Sequence, residues 1–148
     1  MDIDLVLAPV DGSERAERAA EYAVAVAAAY DADLHLLFVL EETLLANIET
    51  GDVAAEAVAE DHRAFADDVR DRLAERGHDA RLGTSSAGGF STTQLRQSPG
   101  STILDAAEEL GAEFLVVPRE PGSDRADEAI GRAALYVIEY ASQPVLSV

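Results

Sequence analysis

Hydrophobic positions along the chain follow two alternating periods. Residues 3–9 form a short, nearly continuous apolar run ending in proline, which predicts a strand. Asp11, Gly12 and Ser13 follow as a turn that offers a helix N-cap. From residue 14 to about residue 30 the period changes. Polar side chains crowd the first half, while Ala16, Ala19, Ala20, Ala23, Val24 and Ala27 share one stripe, which predicts a helix able to lie close to a sheet. Residues 31–33 break it, and 34–40 make a second apolar strand. Residues 44–51 are expected as loop. Val58, Phe65, Val69 and Leu73 mark a long helix over about 52–76, stopped by Gly77. A weaker strand is expected at 80–84 and a long loop at 85–100. A short helix follows at 103–110, stopped by Gly111. A strand at 114–118, a loop at 119–127, a helix at 129–141 and a strand at 144–148 complete the chain.

This order, βαβαβαβαβ, predicts right-handed crossovers and a parallel sheet covered on both faces. The fold expected is a single doubly wound α/β domain over residues 1–148, with 85–100 as a loop insertion. In such sheets ligands bind beyond the carboxyl ends of the strands, where the winding reverses. If the first and fourth strands are neighbours, the loop at 9–13 and the loop at 118–131 face one another across a crevice.

Composition narrows the chemistry. The 148 residues include no cysteine, which excludes thiol catalysis, thiolate zinc and a disulfide framework. Twenty-nine acidic residues against eleven basic ones give a net charge of −18, and every basic residue is arginine. Such a chain cannot readily assemble the clustered cations that DNA, RNA or an anionic membrane surface requires. The longest apolar run, 22–30, is far short of the roughly 20 residues of a membrane helix. The acidic start at 1–4 is unlike a targeting peptide, so a cytoplasmic location is expected. Abundant carboxylates without lysine resemble proteins of halophilic archaea, whose concentrated salt screens self-repulsion.

The opening P-V-D-G-S-E at 9–14, the alanine-rich helix, D-L-H-L-L-F-V at 33–39, Gly131 and the closing Q-P-V-L-S-V at 143–148 resemble the universal stress protein family over nearly the whole chain. The resemblance implies a five-stranded sheet in the order 3-2-1-4-5. It also implies a homodimer in which the edge strand Val145, Leu146, Ser147 and Val148 pairs antiparallel with its twin. Many members bind ATP through an aspartate in the first loop and a G-x2-G-x9-G-S/T motif after strand four. Carried over, Asp11 would accept hydrogen bonds from ribose hydroxyls and the backbone near Val39 would meet adenine. The other nucleotide contacts implied are Pro9, Val117, Gly131, Arg132 and Ala133, with ATP or AMP and Mg²⁺ as the ligands.

The motif is degenerate here. Its spacing survives at 118, 121 and 131, but Pro118 and Pro121 replace the first two glycines and Arg132 stands where Ser or Thr belongs. Glycines in such a loop aim N–H groups at phosphate oxygens, whereas proline fixes φ and has no N–H. Asp124, Asp127 and Glu128 add negative charge, while Arg119, Arg125 and Arg132 offer cationic forks and Gly122 sits beside a vacated glycine position. A crevice kept without a cofactor is the preferred reading. The function expected is a homodimeric stress-response or regulatory protein with a degenerate nucleotide site and no catalytic residue. The alternative is an ATP-binding relative with weak or no hydrolysis.

Other candidates are bland. His62 lies on the apolar stripe of the long helix and is expected as a packed or rim histidine. His35 and His78 have no metal-ligand partner at useful spacing, so no metal site is expected. Glu60–Asp61 and Asp67–Asp68 are expected on a solvated acidic face. The stretch 85–100 carries one charged residue, Arg96, and Phe90. It is read either as a partner-binding arm or lid anchored by Phe90, or as a surface insertion.

Overall fold

The computed structural model describes residues 2–90, 99–119 and 129–148. Its elements are β1 (Leu5–Val10), α1 (Glu14–Tyr30), β2 (Asp33–Glu41), α2 (Glu42–Thr50), α3 (Ala55–Glu75), β3 (Leu82–Phe90), α4 (Pro99–Leu110), β4 (Phe114–Val117), α5 (Ala129–Tyr140) and β5 (Val145–Ser147). All strand pairings are parallel, and the sheet order is β3-β2-β1-β4-β5. This is the single doubly wound domain and the strand order expected. β3 and β5 are therefore its two edges.

Strand alternation sorts the core into two layers. Val6, Ala8 and Val10 of β1 pair with Leu34, Leu36 and Phe38 of β2, and all six point to one face. There they meet Ala16, Ala19, Ala20, Ala23, Val24 and Ala27 of α1 and Ala66, Val69 and Leu73 of α3. The intervening residues Leu7, Leu37, Val39, Leu115 and Val117 point the other way, onto Ile103 and Ala107 of α4 and Ala133, Ala134 and Val137 of α5. α1 starts where Ser13 Oγ accepts from the Ala16 N–H at 3.2 Å, a cap worth about 1 kcal/mol. It ends at Asp31, whose left-handed backbone (φ 53°) returns its N–H to the carbonyls of Ala27 and Ala28.

The structure departs from the sequence expectations around the β2–β3 edge and the start of α4. Residues 44–51 are not loop, since α2 continues directly from β2. The loop expected at 85–100 is also shorter. β3 runs on to Phe90 because Leu36, Leu37, Phe38 and Val39 of β2 give Thr84, Ser85, Ser86 and Ala87 a full ladder to pair with. Main-chain pairing outweighs a composition that reads as loop. Residues 91–98 of that segment, including Arg96, lie outside the described residues, as does the Phe90 side chain. α4 begins at Pro99, where a missing N–H costs a helix nothing. Gly100 follows. A Cβ there would stand 2.6 Å from the Tyr136 side chain, so glycine permits the close approach of α4 to α5.

Candidate functional site

The crevice lies between the carboxyl ends of β1 and β4, where the winding reverses. β1 leaves the sheet at Val10, and the chain turns at Gly12, whose positive φ of 84° suits glycine. Asp11 is held in that turn. Its Oδ1 accepts the Ser13 N–H at 3.0 Å, which fixes the half-buried carboxylate at the mouth of the crevice. The second carboxylate oxygen makes no further side-chain bond among the described residues. The first turn of α1 carries Glu14 and Glu17, which place negative charge at the positive end of the helix dipole. That helix start is poorly disposed toward a phosphate.

The opposite wall is β4. Val6 pairs with Phe114 and Leu7 with Leu115, and β4 ends at Val117, just before Pro118. Pro118 is buried and has no N–H to give. The next N–H along the chain, that of Arg119, donates to the Val148 carbonyl, and the Val148 N–H donates to the Val117 carbonyl at 3.0 Å. Among the described residues, the first two positions of the strand-four loop therefore present no free main-chain donor to the crevice.

The structure brings several of the expected residues together. Val39, Val117 and Ala133 are buried in the layer between the sheet and α4/α5. Pro9 is buried on the same side by strand alternation. Asp11 follows β1 directly, half-buried in the turn before α1. Gly131 and Arg132 fall in the first turn of α5, and the Arg132 side chain lies outside the described residues. Pro121, Gly122, Asp124, Arg125, Asp127 and Glu128 also lie outside them. Val145, Leu146, Ser147 and Val148 are half-buried along the β5 edge.

The histidines have local partners. His62 stacks on Phe38, with ring centroids 4.0 Å apart and planes 12° apart, and Phe65 meets Phe38 edge-on. Burial lowers the His62 pKa below the ordinary histidine value, and nearby Asp61 opposes that shift. His35 Nε2 lies 2.8 Å from Ser85 Oγ, and burial lowers its pKa as well. His78 Nε2 is 2.8 Å from the Ala32 carbonyl. Asp67 and Asp68 stand on an exposed helix face, bound to Arg70 and Arg72. Arg72 also binds Glu21, and these hydrogen bonds raise its pKa further. No cluster of three metal-ligating side chains exists among the described residues.

Sequence reasoning missed one feature on the opposite face. Two cavities flank the Phe38–His62 stack beneath α3. The larger, about 520 Å³, lies between α3 and the Thr84–Ser86 segment of β3. The smaller, about 380 Å³, lies toward Gly12 and Glu17. Ala59 and Ala66 on α3 are too small to fill the larger space. A helix stripe that switches from Val69 and Leu73 to alanine toward its start was the available signal.

The strand order and the β1–β4 crevice define an open, doubly wound α/β protein of the kind that binds ligands at the sheet's switch point. The chain belongs to the universal stress protein family, whose family description matches residues 3–148. Among solved structures, a universal stress protein in complex with cAMP is 22% identical, with a TM-score of 0.67, over 100% of this chain and 98% of that one. UspA from Lactobacillus plantarum is 23% identical, with a TM-score of 0.67, over 100% and 99% of the two chains. A universal stress protein from Archaeoglobus fulgidus in complex with dAMP is 19% identical, with a TM-score of 0.61, over 98% and 96%. These likenesses establish the shared fold. No relative is found among curated proteins.

Proposed function

We propose that the protein is a homodimeric, non-catalytic regulator of the stress response whose crevice keeps the sugar end of a nucleotide site and has lost the phosphate end. The observation that carries this reading is the β4 exit. Pro118 offers no N–H, and the Arg119 N–H is already spent on Val148. Asp11, by contrast, is positioned by Ser13 with a carboxylate oxygen to spare for a sugar hydroxyl. A triphosphate with Mg²⁺ finds little to hold it on the described residues.

A second reading, binding of an adenine nucleotide, is favoured by the relatives in complex with cAMP and dAMP. Both ligands carry one phosphate, so they ask less of the strand-four loop than ATP does. The twofold contact in this proposal is antiparallel pairing of the β5 edge, which would remove an open strand edge. The arginine-only basic set and the net charge of −18 support a cytoplasm rich in salt as the working environment.

The experiment is to purify the protein in high salt, denature it and identify released small molecules by mass spectrometry, then titrate ATP with Mg²⁺ and AMP. The expected result is no retained ATP and no saturable ATP binding. ATP released at near one per chain would overturn the degenerate-site reading. Saturable AMP binding that Asp11→Asn weakens, without ATP binding, would establish the second reading.

A further inference from the structure

The larger cavity under α3 has the make-up of a binding site and lies on the opposite face of the sheet from Val39, Val117 and Ala133. Its floor is β3, where Thr84 pairs with Leu36 and Ser86 with Phe38, so both hydroxyl side chains share the α3 face. α3 forms its other wall, and the space is open to solvent, since Arg63, Arg70, Thr84 and Ser86 are all exposed. Arg63 and Arg70 stand two helical turns apart on one face of α3 and both line the space. One end is closed by the Phe38–His62 stack.

Charge is sorted across that stack. The smaller cavity is bordered by Glu17, Asp61 and Asp68 and by no arginine. The larger one has two guanidinium groups against one carboxylate, Asp67, which lies 2.7 Å from Arg70. Arg63 makes no ion pair among the described residues, although the chain holds 29 carboxylates. A net cationic pocket on a chain of charge −18 calls for an anion. A guanidinium fork facing hydroxyl donors is chemistry that matches an oxyanion. The volume is in the range of small-molecule sites.

We infer that the α3–β3 cavity binds a small organic oxyanion, a phosphate or carboxylate group held between Arg63 and Arg70 above the hydroxyls of Thr84 and Ser86. The rest of the ligand packs against the Phe38–His62 wall. The site is separate from the β1–β4 crevice and does not depend on that crevice holding a nucleotide.

The test is a backbone amide NMR titration with inorganic phosphate and, separately, with acetate, at fixed ionic strength balanced with chloride. The expected result is saturable shifts confined to residues 59–70 and 84–86. Arg63→Gln should weaken the binding about tenfold, the usual scale for a lost charge-assisted hydrogen bond. Thr84→Val should weaken it less, and Arg81→Gln should leave it unchanged. Tighter phosphate than acetate identifies a phosphoryl ligand, and the reverse order a carboxylate. Shifts that stay linear for both anions, or that saturate equally in Arg63→Gln and the unaltered protein, would overturn the inference. Matching circular dichroism of each variant excludes misfolding as the cause.

Discussion

The two sides of the sheet are built on different plans. On the α1/α3 side the surface that α1 turns to β1 is mostly alanine, so helix and sheet lie close. Toward β3 the same side opens into the larger cavity, whose floor is Thr84 and Ser86. Its outer surface is charged, with Arg72 bridging Glu21 and Asp68 between the two helices. Tyr22 and Tyr30 are exposed there, but each carries a hydroxyl, and Arg18 lies over the Tyr22 ring. On the α4/α5 side the inner layer is wholly apolar, whereas the described part of α5, from Ala133 on, carries exposed apolar side chains. Leu135 is 59% exposed and Ile138 50%, and the paired rings of Tyr136 and Tyr140, which also carry hydroxyls, lie beside them. One side thus carries exposed polar groups around an open cavity beneath α3, while the described part of α5 shows water apolar side chains next to the β5 edge. That contrast fits the two proposals made above, a small ligand beneath α3 and a second copy of the chain along β5.

The sharpest way to break the contrast is to remove the edge. A chain ending at Gln143 should sediment as monomer or aggregate, because it loses both β5 and the pairing proposed for it. A truncated protein that remains a dimer would move the interface elsewhere.

Next in size is a matched pair of substitutions on one side. Ala23 is fully buried between α1 and the sheet, so Ala23→Leu should cost about 1–3 kcal/mol by overpacking. Ala66 borders the larger cavity, so Ala66→Leu should fill empty space, stay within about 1 kcal/mol and abolish phosphate binding. Denaturant unfolding of both variants checks this. Equal losses would mean that the cavity closes in solution.

The smallest effect is one of pH. Burial lowers the pKa of His35 and His62, so both favour the neutral form in the folded state. The unfolded chain then takes up protons first as pH falls. Their contribution is present above the ordinary histidine pKa of about 6.5 and is lost as pH drops through the folded values. Both rings are partly exposed, which limits the effect to a fraction of a kcal/mol. Melting curves between about pH 7 and 5 should slope less in a His35→Gln/His62→Gln variant than in the unaltered chain. Identical slopes would show that the two rings are solvated.

Legibility in the sequence followed burial. β1, β2, β4 and α1 were readable because continuous apolar runs and an alanine stripe each have one structural meaning. β3 was half hidden, because an edge strand facing a polar cavity loses the apolar alternation that marks a strand. α2 was hidden by its shortness, since none of its residues is fully buried and its place depends on β2 and β3. Asp11 and Pro118 could be picked out because turn chemistry and the absence of an N–H are properties of single residues. The α3–β3 cavity could not, because missing volume is a relation between Ala59, Ala66 and a strand far along the chain.

The bonds from Arg119 to Val148 and from Val148 to Val117 tie the last strand to the mouth of the crevice. Neither the crevice wall nor the sheet edge is independent of the other. If the chain pairs along β5 as proposed, a molecule that tightens the β4 exit would also stiffen the strand on which the second copy pairs. Thermodynamic reciprocity then requires assembly to change that molecule's affinity by the same factor by which the molecule changes assembly. With that proposed pairing, the crevice would report occupancy through the population of paired chains, with no chemical step at all.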